Sequence, residues 1–152
     1  MPARERWDSP WVALLLDSHR RLLGRELAGT DSAQPNASWL YHHADFCVLA
    51  HDGDSDPHFV YANLRALRCF EYSWEELIGL PSRLSAPAPD RDERAALLAS
   101  VTMRGYSEDY RGLRVAKSGR RFWIEKATVW NILDAQGRVC GQAAMFATTS
   151  PS

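Results

Sequence analysis

The chain has 152 residues, 45% of them hydrophobic and 24% charged, with a formal net charge of −1. That balance is one globular domain's worth of ordinary polypeptide, not a disordered or fibrous chain. With eighteen basic residues against nineteen acidic ones, and Arg20-Arg21 and Arg120-Arg121 as the only dense basic pairs, a nucleic-acid track is excluded. No run approaches the roughly 18 apolar residues of a membrane span. The opening segment also lacks the pattern of a secretory signal. A soluble cytoplasmic domain without membrane contact is therefore expected.

Residues 1–10 read as a loose leader ending in Ser9-Pro10. Residues 11–27 then show helical periodicity: Trp11, Leu15 and Leu22 cluster, with Val12, Leu16, His19, Leu23 and Leu27 beside them. Gly24 and Gly29 weaken and then stop this helix. Residues 29–38 form a polar linker, so 1–28 is expected as leader plus flanking helix and 39–148 as the main domain. Residues 39–41 make a short helical turn, and 46–50 a brief apolar strand closed by the Asp-rich turn 52–57. That turn lacks the distant glutamate of a calcium loop. Residues 59–62 form a second strand. Asn63 caps a short helix over 64–70. Ser73 and Glu76 have capping-box spacing for a helix over 74–78 that ends at Gly79. After an irregular crossing at 86–89, residues 90–104 form a helix. Strands over 109–116, 122–133 and 138–147 follow, joined by the turns 117–119 and 134–137.

This order lacks repeated βαβ units. It predicts an α+β fold: one five-stranded antiparallel sheet, short helices on one face and an N-terminal flanking helix. On the long strand, strict alternation puts Phe122, Ile124, Lys126, Thr128, Trp130 and Ile132 on one face. Trp123, Glu125, Ala127, Val129, Asn131 and Leu133 take the other. Cys47, Cys69 and Cys140 sit in apolar contexts without a C-x-x-C, and read as inert thiols. The five histidines have no metal-ligand spacing, so no metal site is expected.

Phe59-Val60-Tyr61-Ala62-Asn63, followed by Phe70-Glu71-Tyr72-Ser73-Trp74-Glu75-Glu76-Leu77-Ile78-Gly79, resembles the core of the PAS domains. Lys117-Ser118-Gly119, the Trp123 strand and Asp134-Ala135-Gln136-Gly137 match in the same order. Across residues 19–146 the pattern resembles the MEKHLA domain, a PAS-like module. The resemblance implies a sensory or regulatory module whose ligand lies between sheet and helices and which pairs through the sheet's outer face or an N-terminal helix. In that register the Phe122 face looks inward. The ligand-binding residues are then Tyr61, Leu67, Phe70, Ser82, Ile124, Lys126, Thr128, Ala144 and Phe146, with Met145 as an alternative to Ala144. Lys126 either meets a ligand carboxylate or phosphate, or snorkels to the sheet edge or pairs with a core acid.

The resemblance extends to the light-sensing LOV branch, which the chain departs from at three places. The reactive cysteine is replaced by Ser82, and the flavin-edge amides by Ile124 and Phe146. The helix over 90–104 carries no histidine for haem, leaving His42, His43 and His51 beside the first strand. No cofactor is therefore expected. Trp11, Leu15, Leu16 and Leu23 of the first helix, with Trp123, Ala127 and Val129 of the sheet, are expected to make a homodimer interface. A regulatory protein partner is a further possible occupant. No acid/base pair stands out for catalysis, so the expected function is sensing, not enzymology. The alternatives are a flavin or haem sensor, and a small α+β enzyme acting on a hydrophobic molecule.

Overall fold

The computed structural model describes residues 9–25, 27 and 37–147. Residues 1–8 of the expected leader, Glu26, Ala28, residues 29–36 of the expected linker and residues 148–152, with the expected end of the domain at 148, lie outside them. The first helix, α1, spans Pro10–Leu23. Ser9 caps it through its hydroxyl, which accepts from Trp11 N, and Pro10 opens it without losing a needed donor. Gly24 (φ 75°) ends it in the left-handed conformation that glycine adopts freely. The helix therefore stops at the first glycine, short of the expected Leu27.

A six-residue α2 (Ala37–His42) precedes β1 (Cys47–Asp52) and β2 (Phe59–Ala62). The hairpin between these strands is held by Asp52, whose carboxylate accepts from Asp54 N and His58 N. Helix α3 (Leu64–Phe70) begins at the Asn63 cap, and α4 (Trp74–Leu77) at a complete Ser73–Glu76 capping box. Two 3₁₀ turns, Ser82–Ser85 and Ala88–Asp90, replace the irregular crossing and lead into α5 (Arg91–Arg104). Strands β3 (Tyr106–Val115), β4 (Arg121–Leu133) and β5 (Val139–Phe146) complete the chain.

The five strands form one antiparallel sheet in the order β2-β1-β5-β4-β3. Its inner face packs Leu49, Phe59, Ile124, Val129 and Phe146 against Leu67, Phe70, Leu77 and Val101 of α3, α4 and α5. The outer face packs Val48, Trp130, Ile132 and Ala143 against Val12 and Leu15 of α1. Trp130 Nε1 donates to Leu15 O (3.0 Å), and Leu133 N donates to Ser18 Oγ (2.7 Å), so α1 is tied to its own sheet.

The long strand does not alternate strictly. Tyr110 pairs with Ala127 and Gly112 with Ile124, so Glu125 and Lys126 together face one residue, Arg111. The extra residue is accommodated at Lys126 (φ 54°), and a second bulge on β3 sits at Asp109 (φ 62°). A bulge inverts every side chain beyond it. Phe122 and Ile124 point inward as expected. Past the bulge Ala127, Val129 and Asn131 point inward, while Thr128, Trp130 and Ile132 lie on the outer side.

Candidate ligand cavity

A cavity lies between the inner face of the sheet and α5. Its apolar wall includes Leu49, Phe59, Phe70, Leu97, Ile124 and Phe146, and its polar wall His51, Ser85, Arg94, Tyr110, Arg114 and Gln142. The cavity is small, with room for about four waters.

Each polar group arrives from a different element. Tyr110, Gly112 and Arg114 alternate along β3 and share its inner face. Gly112 is required there: a Cβ at that position would lie 2.2 Å from Tyr110 Oη and 2.9 Å from Arg114 Nη1. Over this gap Arg114 Nη2 donates to Tyr110 Oη (3.1 Å), and Tyr110 O–H donates to Glu93 Oε1 (3.0 Å). The chain of bonds runs from the buried arginine to an exposed carboxylate. Burial raises the Tyr110 phenol above its ordinary value, while Arg114 pulls it the other way.

Arg94 enters from α5, one turn before Leu97 and Leu98 and two before Val101, so it sits on the helix's apolar side. It is 8% exposed and Arg114 6%. Burial, then the charge of Arg114, lowers the Arg94 guanidinium to about 10, which leaves it protonated at neutral pH. Arg114 Nη1 donates to Leu113 O (2.8 Å). Among the described residues, no ion pair engages either arginine and no hydrogen bond engages the Arg94 guanidinium.

His51 on β1 is buried with Nδ1 2.8 Å from Asp52 O, so Nδ1 carries the proton. Nε2 is then a buried acceptor without a partner among the described residues. Burial holds the ring at about 4, so it is neutral in the folded chain. Gln142 and Asn131 are occupied structurally. Gln142 Nε2 lies within reach of Leu98 O, Thr102 Oγ1 and Asn131 Oδ1, and Asn131 Nδ2 reaches Val101 O and Thr102 O. These amides tie the sheet to the last turns of α5, where Thr102 O belongs to the final carbonyls that lack an intrahelical partner and Val101 O also accepts from Gly105 N.

Of the residues expected to bind ligand, Phe70, Ile124, Ala144 and Phe146 line the cavity. Leu67 lies in the inner core but outside the cavity wall. Tyr61 is on the outer side, edge-on to Trp74 at 6.0 Å. Ser82 is fully buried, its hydroxyl without a partner among the described residues, and is not part of the wall. Lys126 is exposed on the bulge, and Thr128 and Met145 belong to the outer side, because the inverted register removes all three from the pocket. Of the expected interface residues, Leu15 is sealed against the chain's own sheet, and Ala127 and Val129 face inward. Trp11, Leu16 and Leu23 are half-buried. Trp123 is 44% exposed, with the Arg111 guanidinium stacked 3.7 Å from its ring centre.

Among the wall residues that sequence reasoning did not select as ligand contacts are the polar His51, Arg94, Tyr110 and Arg114. Two signals were present: Arg94 on an i, i+3, i+4, i+7 apolar row, and Tyr-x-Gly-x-Arg on one face of a strand. The three thiols are free, as expected, and two of them lie together. Cys47 and Cys69 contact each other, which raises Cys47 and lowers Cys69. Among the described residues, no group of three His, Cys, Asp or Glu side chains could hold a metal ion.

A family model described as the MEKHLA domain matches residues 9–151. The chain belongs to the MEKHLA domain family. The fold of this MEKHLA chain is PAS-like. A PAS domain from Colwellia psychrerythraea superposes with a TM-score of 0.66 at 16% identity, over 76% of this chain and 95% of that one. A light-oxygen-voltage domain from work with a flavin analogue gives 0.58 at 20%, over 68% and 77%. A cysteine-to-valine variant of the fungal photoreceptor VVD gives 0.60 at 16%, over 88% and 93%. No curated protein matches the chain. Among the described residues, no helix is long and apolar enough to cross a membrane.

Proposed function

We propose that this MEKHLA chain is a sensory or regulatory module that binds a small molecule in the cavity between sheet and α5 and signals through association, not catalysis. The observation that carries the reading is the cavity itself: a mostly apolar wall with a few convergent polar groups, where small-molecule sites form. The wall brings no carboxylate to pair with His51, which supports binding over acid/base chemistry. The residues do not suit a flavin: Ile124 and Phe146 present hydrocarbon where the light-sensing branch presents amides, and Ser82 carries no thiol. Haem finds a nitrogen in His51 Nε2, but about four waters' worth of space is far below a macrocycle's needs.

The association surface of this proposal is narrower than the one read from the sequence. It comprises the half-buried Trp11, Leu16 and Leu23 of α1 and the exposed Trp123, joined as a twofold dimer or to a regulatory protein. The free thiols of Cys47, Cys69 and Cys140 are in keeping with the reducing cytoplasm. Native mass spectrometry of freshly purified full chain tests both parts, alongside a visible spectrum. A retained small molecule, or one that binds saturably, with a dimer mass and no visible band, is the expected outcome. Turnover of a substrate at the cavity, or a coloured cofactor surviving gel filtration, would replace this reading by one of its alternatives.

A further inference from the structure

Two buried arginines line a mostly apolar cavity whose wall holds no carboxylate. Arg94 and Arg114 come from α5 and β3, elements far apart in sequence, and both are more than nine-tenths buried. Their charges repel. A buried charge without a partner destabilises a fold, and such charges persist where a ligand completes them. The chain also holds open the space they need. Gly112 removes the side chain that would strike Tyr110 Oη and Arg114 Nη1. The Arg114–Tyr110–Glu93 chain then fixes one guanidinium, while that of Arg94 has every donor free among the described residues.

His51 is the second, independent sign. Its Nε2 is a buried acceptor on the cavity wall with no donor among the described residues. A site with two cationic donors and one neutral acceptor is incomplete until a polar ligand group enters, or a water carried with it.

Most of the remaining wall is hydrocarbon, including Leu49, Phe59, Phe70, Ile124, Val129 and Phe146. An inorganic anion would satisfy the arginines and waste that wall; a hydrocarbon would do the reverse. About four waters of space, at roughly 30 Å³ of liquid volume each, correspond to a molecule of about 100–150 Å³. That is the size of a butyrate, with benzoate at the upper limit.

Resting on the reading of this cavity as a ligand site, we infer that its ligand is a small monocarboxylate with an apolar body, its carboxylate held by Arg94 and Arg114 and its body against Phe70, Ile124 and Phe146. Guanidinium groups suit this role because they donate to both carboxylate oxygens at once.

The experiment is calorimetric titration of the intact chain at neutral pH with benzoate and butyrate. Benzamide and butyramide serve as neutral isosteres, and inorganic phosphate as a bare anion. One of the acids should bind at least about tenfold more tightly than its amide, and phosphate should not compete. Arg94→Met and Arg114→Met should each abolish that preference for the acid. A ligand-free measurement guards against a folding defect. Arg94→Met should melt at the wild-type temperature or above, because an apolar side chain replaces an uncompensated charge. A large fall in melting temperature would make Arg94 a structural residue and overturn the inference. Equal binding of acid and amide would overturn the anionic ligand yet leave the cavity a ligand site. If neither acid binds while native mass spectrometry finds another retained molecule, the monocarboxylate alone is refuted. If nothing binds and nothing is retained, both readings fail.

Discussion

Replacing Asn63 by alanine should be among the most damaging single changes in this domain, although the residue touches no ligand. Asn63 is fully buried and uses its whole side-chain capacity. Oδ1 accepts from Val48 N (3.1 Å) and Ala66 N (3.1 Å); Nδ2 donates to Leu40 O (3.1 Å) and Phe46 O (2.9 Å). One residue thus joins α2, β1 and α3. Losing the helix cap costs about 1 kcal/mol. Stranding the buried Val48 N–H costs roughly another 1–3 kcal/mol, and the two carbonyls add a smaller amount. The sum is about 3–5 kcal/mol, against a total stability of about 5–15 kcal/mol for a domain. At roughly 2–4 °C per kcal/mol for this size, the melting temperature should fall by about 6–20 °C. Urea denaturation followed by tryptophan fluorescence measures it, with the midpoint lowered and the slope unchanged. Asn63→Asp separates the two halves of the network. It keeps an acceptor but turns an oxygen toward Leu40 O and Phe46 O, which raises the folded carboxyl above its unfolded value. Its penalty is therefore small below about pH 4 and grows as pH rises. A loss below about 1 kcal/mol for Asn63→Ala would refute the reasoning, by showing that water replaces the amide at no cost.

His51 is held near 4 when folded and titrates near 6.5 when free. The unfolded chain therefore takes up a proton that the folded chain refuses. Stability should be full above about pH 6.5 and decline by roughly 3 kcal/mol towards pH 4, and His51→Leu should flatten that part of the melting profile. Lys126 is exposed at positive φ, so Lys126→Gly should leave stability unchanged or raise it by up to about 1 kcal/mol, whereas Lys126→Ile should lower it by about 1–2 kcal/mol. Neither should alter ligand binding in a titration. Gly112→Ala should cost about 1–3 kcal/mol by overpacking and weaken binding, because its Cβ displaces the Tyr110 hydroxyl and Arg114. Trp130→Phe should cost about 2 kcal/mol in denaturant unfolding, through the lost bond to Leu15 O and the lost edge contact with His19 at 4.9 Å.

The order of elements was legible in the sequence because the signals that set it are local. Asn63 and the Ser73–Glu76 pair cap the helices they precede, and Gly119 and Gly137 turn the final strands at positive φ. The antiparallel meander and the PAS-like core followed from that order. So did four wall residues, Phe70, Ile124, Ala144 and Phe146, which lie close to the motifs or before the bulge. The tertiary structure decided the rest. Lys126 adopts positive φ, which a lysine rarely does, because β3 and β4 must stay paired while the face of β4 changes over. The bulge at Lys126 sent Lys126, Thr128 and Trp130 away from the pocket and brought Val129 into it. It also placed Trp130 under α1, which closed over its own sheet and took Leu15 out of any interface. Arg94, Arg114 and His51 converge from a helix and two separate strands. A sequence pattern reports the face of one element at a time, whereas a cavity is made where faces of several elements meet.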